Sequence, residues 1–178
     1  MTLSLNKFGF IALTVILVVA GTYFLLKEDV PTLYINEFMA NNQSCCPDTD
    51  GDKDEFDDWI ELYNPGTTPI DIGGMYFSQD TNKPLGYQIP SSNSAITTIQ
   101  PNGFLLLWAD GNPNQGPLHL KFKLNQNGEF IGLFYNDGRK IDGVKFQQQS
   151  ENMSQGRVTD GGPEWRELAT PSPGKSNQ

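Results

Sequence analysis

From Thr32 onward apolar and polar residues alternate with a period of two, as strands require when successive side chains point to opposite faces. The opening segment sets Leu33, Ile35 and, after Glu37, Met39 on one side, with Tyr34, Asn36 and Phe38 on the other. Further strands are expected at Trp59–Tyr63, Ile70–Phe77, Phe104–Trp108, Leu118–Leu124, Glu129–Tyr135 and Lys140–Phe146. Turn-forming runs stand between them: Asn64-Pro65-Gly66, Gln100 to Gly103, Asp110 to Pro113, Asn125 to Gly128 and Asn136-Asp137-Gly138. The last predicts a tight hairpin, because Asp-Gly tolerates the positive φ angles such turns need. Gly132, in the middle of a strand, predicts a bulge or a close backbone approach. Short strands at regular spacing, 18 Gly and 12 Pro, and no helical window in this region predict an all-β fold, an immunoglobulin-like antiparallel β-sandwich.

The N-terminal pattern differs in kind. Phe8 to Leu26 is a run of 19 residues without a charge, and as a helix it would span about 28 Å, close to the thickness of a bilayer core. A single transmembrane helix is therefore expected before the sandwich, with residues 1–30 forming anchor and short linker and residues 31–178 the domain. Cleavage as a signal peptide is the competing reading, since Val18 and Ala20 suit a small-residue rule. It would leave Tyr23 to Leu26 as an apolar stump. Lys7 and the terminal amine flank the start, whereas Lys27 is followed at once by Glu28 and Asp29. The bias of positive charge places the N-terminus in the cytoplasm and the domain in the periplasm or outside the cell.

Charge narrows the partners. Net charge is −9; two of the 12 basic and two of the 21 acidic residues precede Pro31, which leaves 10 and 19 in the domain. Such a surface lacks the basic face that nucleic acid needs, so no nucleic-acid partner is expected. Its first effect is solubility. The two cysteines, Cys45 and Cys46, are adjacent and give no disulfide framework. A bond between neighbours closes a strained, easily reduced ring; two free thiols, a link to a partner, and a two-ligand thiolate site are the alternatives, beside a plain structural role.

Three segments carry a likeness to a known family: Ile35 to Asn42 (INEFMANN), Asp57 to Pro65 (DDWIELYNP) and Ile70 to Phe77 (IDIGGMYF). Leu105 to Asp110 matches in the middle, and Ser154-Gln155-Gly156-Arg157, Asp160-Gly161, Trp165 and Thr170 to Gly174 match at the end. Over Thr32 to Asn177 the chain resembles the lamin tail domain. The resemblance implies an immunoglobulin-like sandwich which in animal nuclear lamins follows a coiled-coil rod and contacts other proteins. No heptad rod stands here, and the short anchored form is similar to bacterial members found on exported or surface proteins. Function carried over from a fold is analogy, and what it implies is a non-catalytic interaction module. Its partners would be other membrane or periplasmic proteins, within a larger complex that it would serve as an accessory or structural subunit.

Several residues could carry chemistry. The loop from Cys45 to Asp58 holds six Asp and one Glu. Asp48, Asp50, Asp52 and Asp54, with Gly51 easing the bend, could offer the oxygens that Ca²⁺ requires. The spacing starts like an EF-hand and then departs, with Lys53 where that loop turns on Gly and Trp59 where it needs Glu. An acidic loop without metal is the plain alternative; the metal reading would make the domain a Ca²⁺-dependent adhesion or carbohydrate-binding module. Glu37, Asp58 and Glu61 lie in the resembling strands, where half-buried carboxylates need partners, and Arg157 is expected to supply a structural ion pair. Glycoside-type acid–base work by the same carboxylates is the enzymatic alternative, but nothing else marks a cleft. His119, alone in an apolar segment, lacks a nucleophile, and Gly174-Lys175-Ser176 resembles a phosphate loop only by chance. Trp59 and Trp108 are expected in the core, and Trp165, beside Pro163 and Glu164, is the expected surface or interface aromatic.

Overall fold

The computed structural model describes residues 28–47 and 56–177. The strands are β1 (Tyr34–Met39), β2 (Trp59–Tyr63), β3 (Ile70–Asp71), β4 (Tyr76–Ser78), β5 (Tyr87–Gln88), β6 (Thr98–Ile99), β7 (Phe104–Trp108), β8 (Phe130–Phe134), β9 (Lys140–Lys145), β10 (Ser154–Arg157) and β11 (Trp165–Leu168). One helical turn, α1 (Ser94–Thr97), and a 3₁₀ turn at Pro113–Gln115 interrupt them. A five-stranded sheet runs β11-β10-β1-β2-β7 and a four-stranded sheet runs β5-β4-β8-β9, with β3 and β6 as a separate pair. Every ladder is antiparallel. The core joins Ile35, Phe38, Ile60, Leu62 and Leu107 of the larger sheet to Phe77, Ile131 and Leu133 of the smaller one. This is the expected all-β antiparallel sandwich. No helix among the described residues is long and apolar enough to cross a membrane, and the expected anchor at residues 8–26 lies outside them.

Where the strand pattern departs from expectation, local backbone chemistry is the reason. In β1 the pairing with β2 shifts between Ile35 and Glu37, and the extra residue reverses the alternation that follows. Phe38 therefore joins Ile35 in the core, while Met39 is buried outside it. The single strand expected over Ile70–Phe77 is divided into β3 and β4 by Gly73-Gly74, where Gly74 takes φ +88°; the Asp71 carboxylate fixes the turn, accepting from Gly73 N (2.8 Å) and Thr97 Oγ1 (2.6 Å). Leu118–Leu124 forms no ladder. It crosses the end of β7 through isolated bridges at Trp108–His119 and Asp110–Lys123. The Asn136-Asp137-Gly138 turn joins β8 to β9 as a tight hairpin, with Gly138 at φ +84°. At Gly132 the approach is close: a Cβ there would sit 2.6 Å from the rings of both Phe130 and Phe134.

Arg157 clamps the two sheets together. Its Nη2 donates to Asp142 Oδ2 on β9 (2.7 Å), its Nε donates to Ile35 O on β1 (2.7 Å), and its Nη1 donates to Gly162 O. The same Asp142 oxygen accepts from Ile35 N (2.8 Å). Rings of Trp165 (4.7 Å) and Tyr34 (5.2 Å) cover the guanidinium, adding cation–π attraction and excluding water. The partner of Arg157 is thus Asp142 on the opposite sheet; the guanidinium's hydrogen bonds go to Ile35, Gly162 and Asp142, and not to Glu37, Asp58 or Glu61, the carboxylates expected to share the ion pair. Arg157→Met, which strands the Asp142 charge, is expected to cost roughly 3–5 kcal/mol in urea unfolding. Adding Asp142→Asn should recover part of the loss, and a single-variant cost below about 1 kcal/mol would remove the clamp from this account.

Candidate functional site

Glu37, Met39, Trp59 and Glu61 are fully buried yet lie outside the core. They alternate along β1 and β2 with core residues Phe38, Ile60 and Leu62, so they line the far face of the larger sheet. Glu37 and Glu61 are register partners on adjacent strands. What meets them is the segment after β11, Pro171 to Asn177. Ser172 donates from N to Glu37 Oε1 (3.0 Å) and from Oγ to Glu37 Oε2 (2.8 Å), and Ser154 Oγ on β10 donates to Glu37 Oε1 (2.5 Å). Gly174 N donates to Glu61 Oε2. Asn177 closes the segment: Nδ2 donates to Asn36 O (3.1 Å) and Arg157 O (2.8 Å), and N donates to Asp160 Oδ1 (3.1 Å). Gly156 leaves room for that amide, since a Cβ would stand 2.8 Å from Asn177 Nδ2.

The two carboxylates are served unequally. Glu37 has donors on both oxygens, whereas Glu61 Oε1 has no hydrogen-bond partner among the described residues. Burial pushes Glu61 up to about 8; the Gly174 N–H opposes the rise, and the Glu37 charge adds to it. The pair sits beneath the tail, which donates to it through Ser172 and Gly174.

A second polar group lies where β1 ends and β2 begins. Asn42, 3% exposed, staples the stems of the acidic loop: Nδ2 donates to Cys45 O (2.7 Å) and Asp57 O (2.8 Å), and Oδ1 accepts from Cys45 N (2.9 Å). Asp58 lies beside it and accepts from Asn42 N (3.4 Å). Burial raises Asp58 to about 6, against the Asn42 N–H and the Lys123 charge, which lower it. Asp58, Gln79, Asn125 and Glu129 help line a shallow polar hollow of about 460 Å³. The expected Ca²⁺ ligands Asp48, Asp50, Asp52 and Asp54 lie outside the described residues. Among the described residues no group of three or more His, Cys, Asp or Glu is placed to hold a metal. Cys45 and Cys46 are bonded to each other.

The remaining candidates fall inside the fold. His119 Nδ1 and Asp110 Oδ2 lie 2.6 Å apart in a buried pair, an arrangement invisible from either residue type alone. Trp165 packs against Phe38 (5.5 Å between ring centroids) as well as over Arg157. Its ring is therefore half-buried in support of the clamp, with only part of it available as a surface. Trp59 is buried on the far face and Trp108 is half-buried beside it in β7.

The profile of the lamin tail domain matches residues 27–148. This chain belongs to the lamin tail domain family. The matched span runs from before β1 to just past β9, so in this lamin tail domain β10, β11 and the Pro171–Asn177 strap fall beyond it. Neither a curated protein nor a solved structure matches the chain. Lamin tail domains are immunoglobulin-like interaction domains, and the family relation supports a non-catalytic role.

Asp58 gives a signed expectation. The folded domain holds its proton up to about pH 6 while the unfolded chain releases it near the ordinary 3.8, so the stabilisation this proton supplies is complete at the acid end and lost as pH rises through about 6. Asp58→Asn should flatten that part of the profile. Its melting temperature should gain on the native domain between about pH 4 and pH 7. Parallel melting curves for the two proteins across that range would refute the assignment.

Proposed function

We propose that this chain is a membrane-anchored, non-catalytic protein-interaction module. Residues 8–26 are its anchor, its N-terminus is cytoplasmic, and its sandwich lies on the periplasmic or extracellular side as an accessory or structural subunit of a larger membrane complex. The observation that carries this reading is the junction of a lamin tail domain, beginning at residue 27, with a charge-free run of membrane-spanning length ending at Leu26. A domain so tethered has only neighbouring membrane or periplasmic proteins within reach. The acidic surface and the exposed apolar side chains Leu85, Ile96 and Val158 offer material for such contacts. Extraction in mild detergent at native levels, followed by cross-linking, should recover the chain in a complex heavier than itself. Migration alone in every detergent, without cross-linked products, would count against the reading.

A second reading, a Ca²⁺-dependent adhesion or carbohydrate-binding domain, draws support from the stapled stems of the acidic loop and the polar hollow beside Asp58. Titration calorimetry should then show heat on adding Ca²⁺, abolished by Asp50→Asn with Asp52→Asn. The absence of heat, together with a melting temperature indifferent to chelator, would eliminate it.

A further inference from the structure

The C-terminal strap reaches the sheet by hydrogen bonds at three points: Ser172 to Glu37, Gly174 to Glu61, and Asn177 to the backbone of Asn36 and Arg157. Between them it turns on itself, with Lys175 N donating to Ser172 O (3.0 Å) and Gly174 at φ +77°. It follows exposed Ala169 and Thr170 after β11 and belongs to no sheet, so it can lift without moving a strand.

Beneath it, two carboxyl groups face each other on paired strands, both fully buried. Two anions so placed repel in a medium that screens poorly, and one of the two must be neutral. The surroundings decide which. Charged groups acting on Glu61 are Glu37 from β1 and Asp160 from the turn after β10, both acidic. The neighbour on β7 is Leu106, β10 contributes the Ser154 hydroxyl, which is engaged with Glu37, and the strap's own cation, Lys175, is exposed. The Gly174 N–H and the Asn36 side chain favour the ionised form, but among the described residues no cation compensates Glu61 and its Oε1 has no hydrogen-bond partner.

We propose that the strap is a proton-operated latch, closed over the Glu37–Glu61 pair while Glu61 carries a proton and lifting from the sheet when that proton is lost. Lifting returns both carboxyl groups to water and frees the donors of Ser172, Gly174 and Asn177 for another acceptor. The latch goes beyond the interaction reading and needs no partner to operate.

The direction follows from linkage. With the strap closed Glu61 titrates near 8; lifting the strap hydrates the carboxyl and lowers that toward the ordinary 4.5. Between those values closing takes up a proton, so the open fraction rises by up to about tenfold per pH unit and levels off above about pH 8.

Hydrogen exchange on the full-length chain in detergent, corrected for the intrinsic pH dependence of exchange, tests this. Protection of the Ser172 and Gly174 amides should fall at least about tenfold between about pH 5 and pH 8 and then level off. The Leu62 amide of β2 should not follow it. In Glu61→Gln, which cannot ionise, strap protection should be flat. Strap protection independent of pH in the native chain, a fall shared equally with Leu62, or the same fall in Glu61→Gln would each overturn the latch. If Glu61→Gln does not fold, the native profile decides alone: a selective fall that levels off near pH 8 supports the latch, and any other profile rejects it.

Discussion

Arg157 occupies the position on which the rest of the sandwich depends. A guanidinium taken out of water is costly unless nearly every donor is engaged, and here three nitrogens reach three different segments: β1, β9 and the turn before β11. Asp142, the balancing charge, itself accepts from Ile35 N, so the ion pair also satisfies backbone groups next to the β1 bulge. The irregular point of the most central strand and the seam between the sheets are thereby fixed by one side chain. Tyr34 and Trp165 shield it, and Trp165 continues into the core through Phe38.

The bulge has a further effect on the far face. Because it reverses the alternation of β1, Glu37 and Met39 point away from the core and meet Glu61 and Trp59 of β2 there. An edge-free central pair of strands with buried polar groups on its outer side needs cover that supplies hydrogen-bond donors. The C-terminal strap is that cover. The larger sheet is thus layered on both sides, by the smaller sheet and by seven residues of tail.

Strand positions were readable from the sequence where alternation and turn residues agreed, as at β2, β7 and the β8–β9 hairpin. The lamin tail motifs drew attention to the segment that becomes β10 and β11, whose Ser-Gln-Gly-Arg and Trp-Arg-Glu-Leu runs are too polar to announce strands by periodicity. Glu37, Glu61 and Arg157 were recognisable as residues needing partners, but the partners were not. A bulge shifts facing by one residue without a compositional mark, and Asp142 sits in a hairpin that gives no sign of lying across from Ile35. The strap was least legible of all. Pro171 to Asn177 has the composition of a solvated tail, and only the buried acceptors beneath it reveal why it is ordered.

The position of β1 bears on how the chain is made. It lies in the middle of the larger sheet, and one of its two neighbours, β10, is supplied from the far end of the sequence, with Glu37 opposite Gly156. Until Arg157 leaves the ribosome, β1 has one open edge and the seam between the sheets has no clamp. Pairings this distant in sequence form late, and an open strand edge invites pairing with other chains. A fragment ending before Arg157, a stalled nascent chain included, is therefore an aggregation-prone species, and soluble production depends on the segment from β10 onward being present.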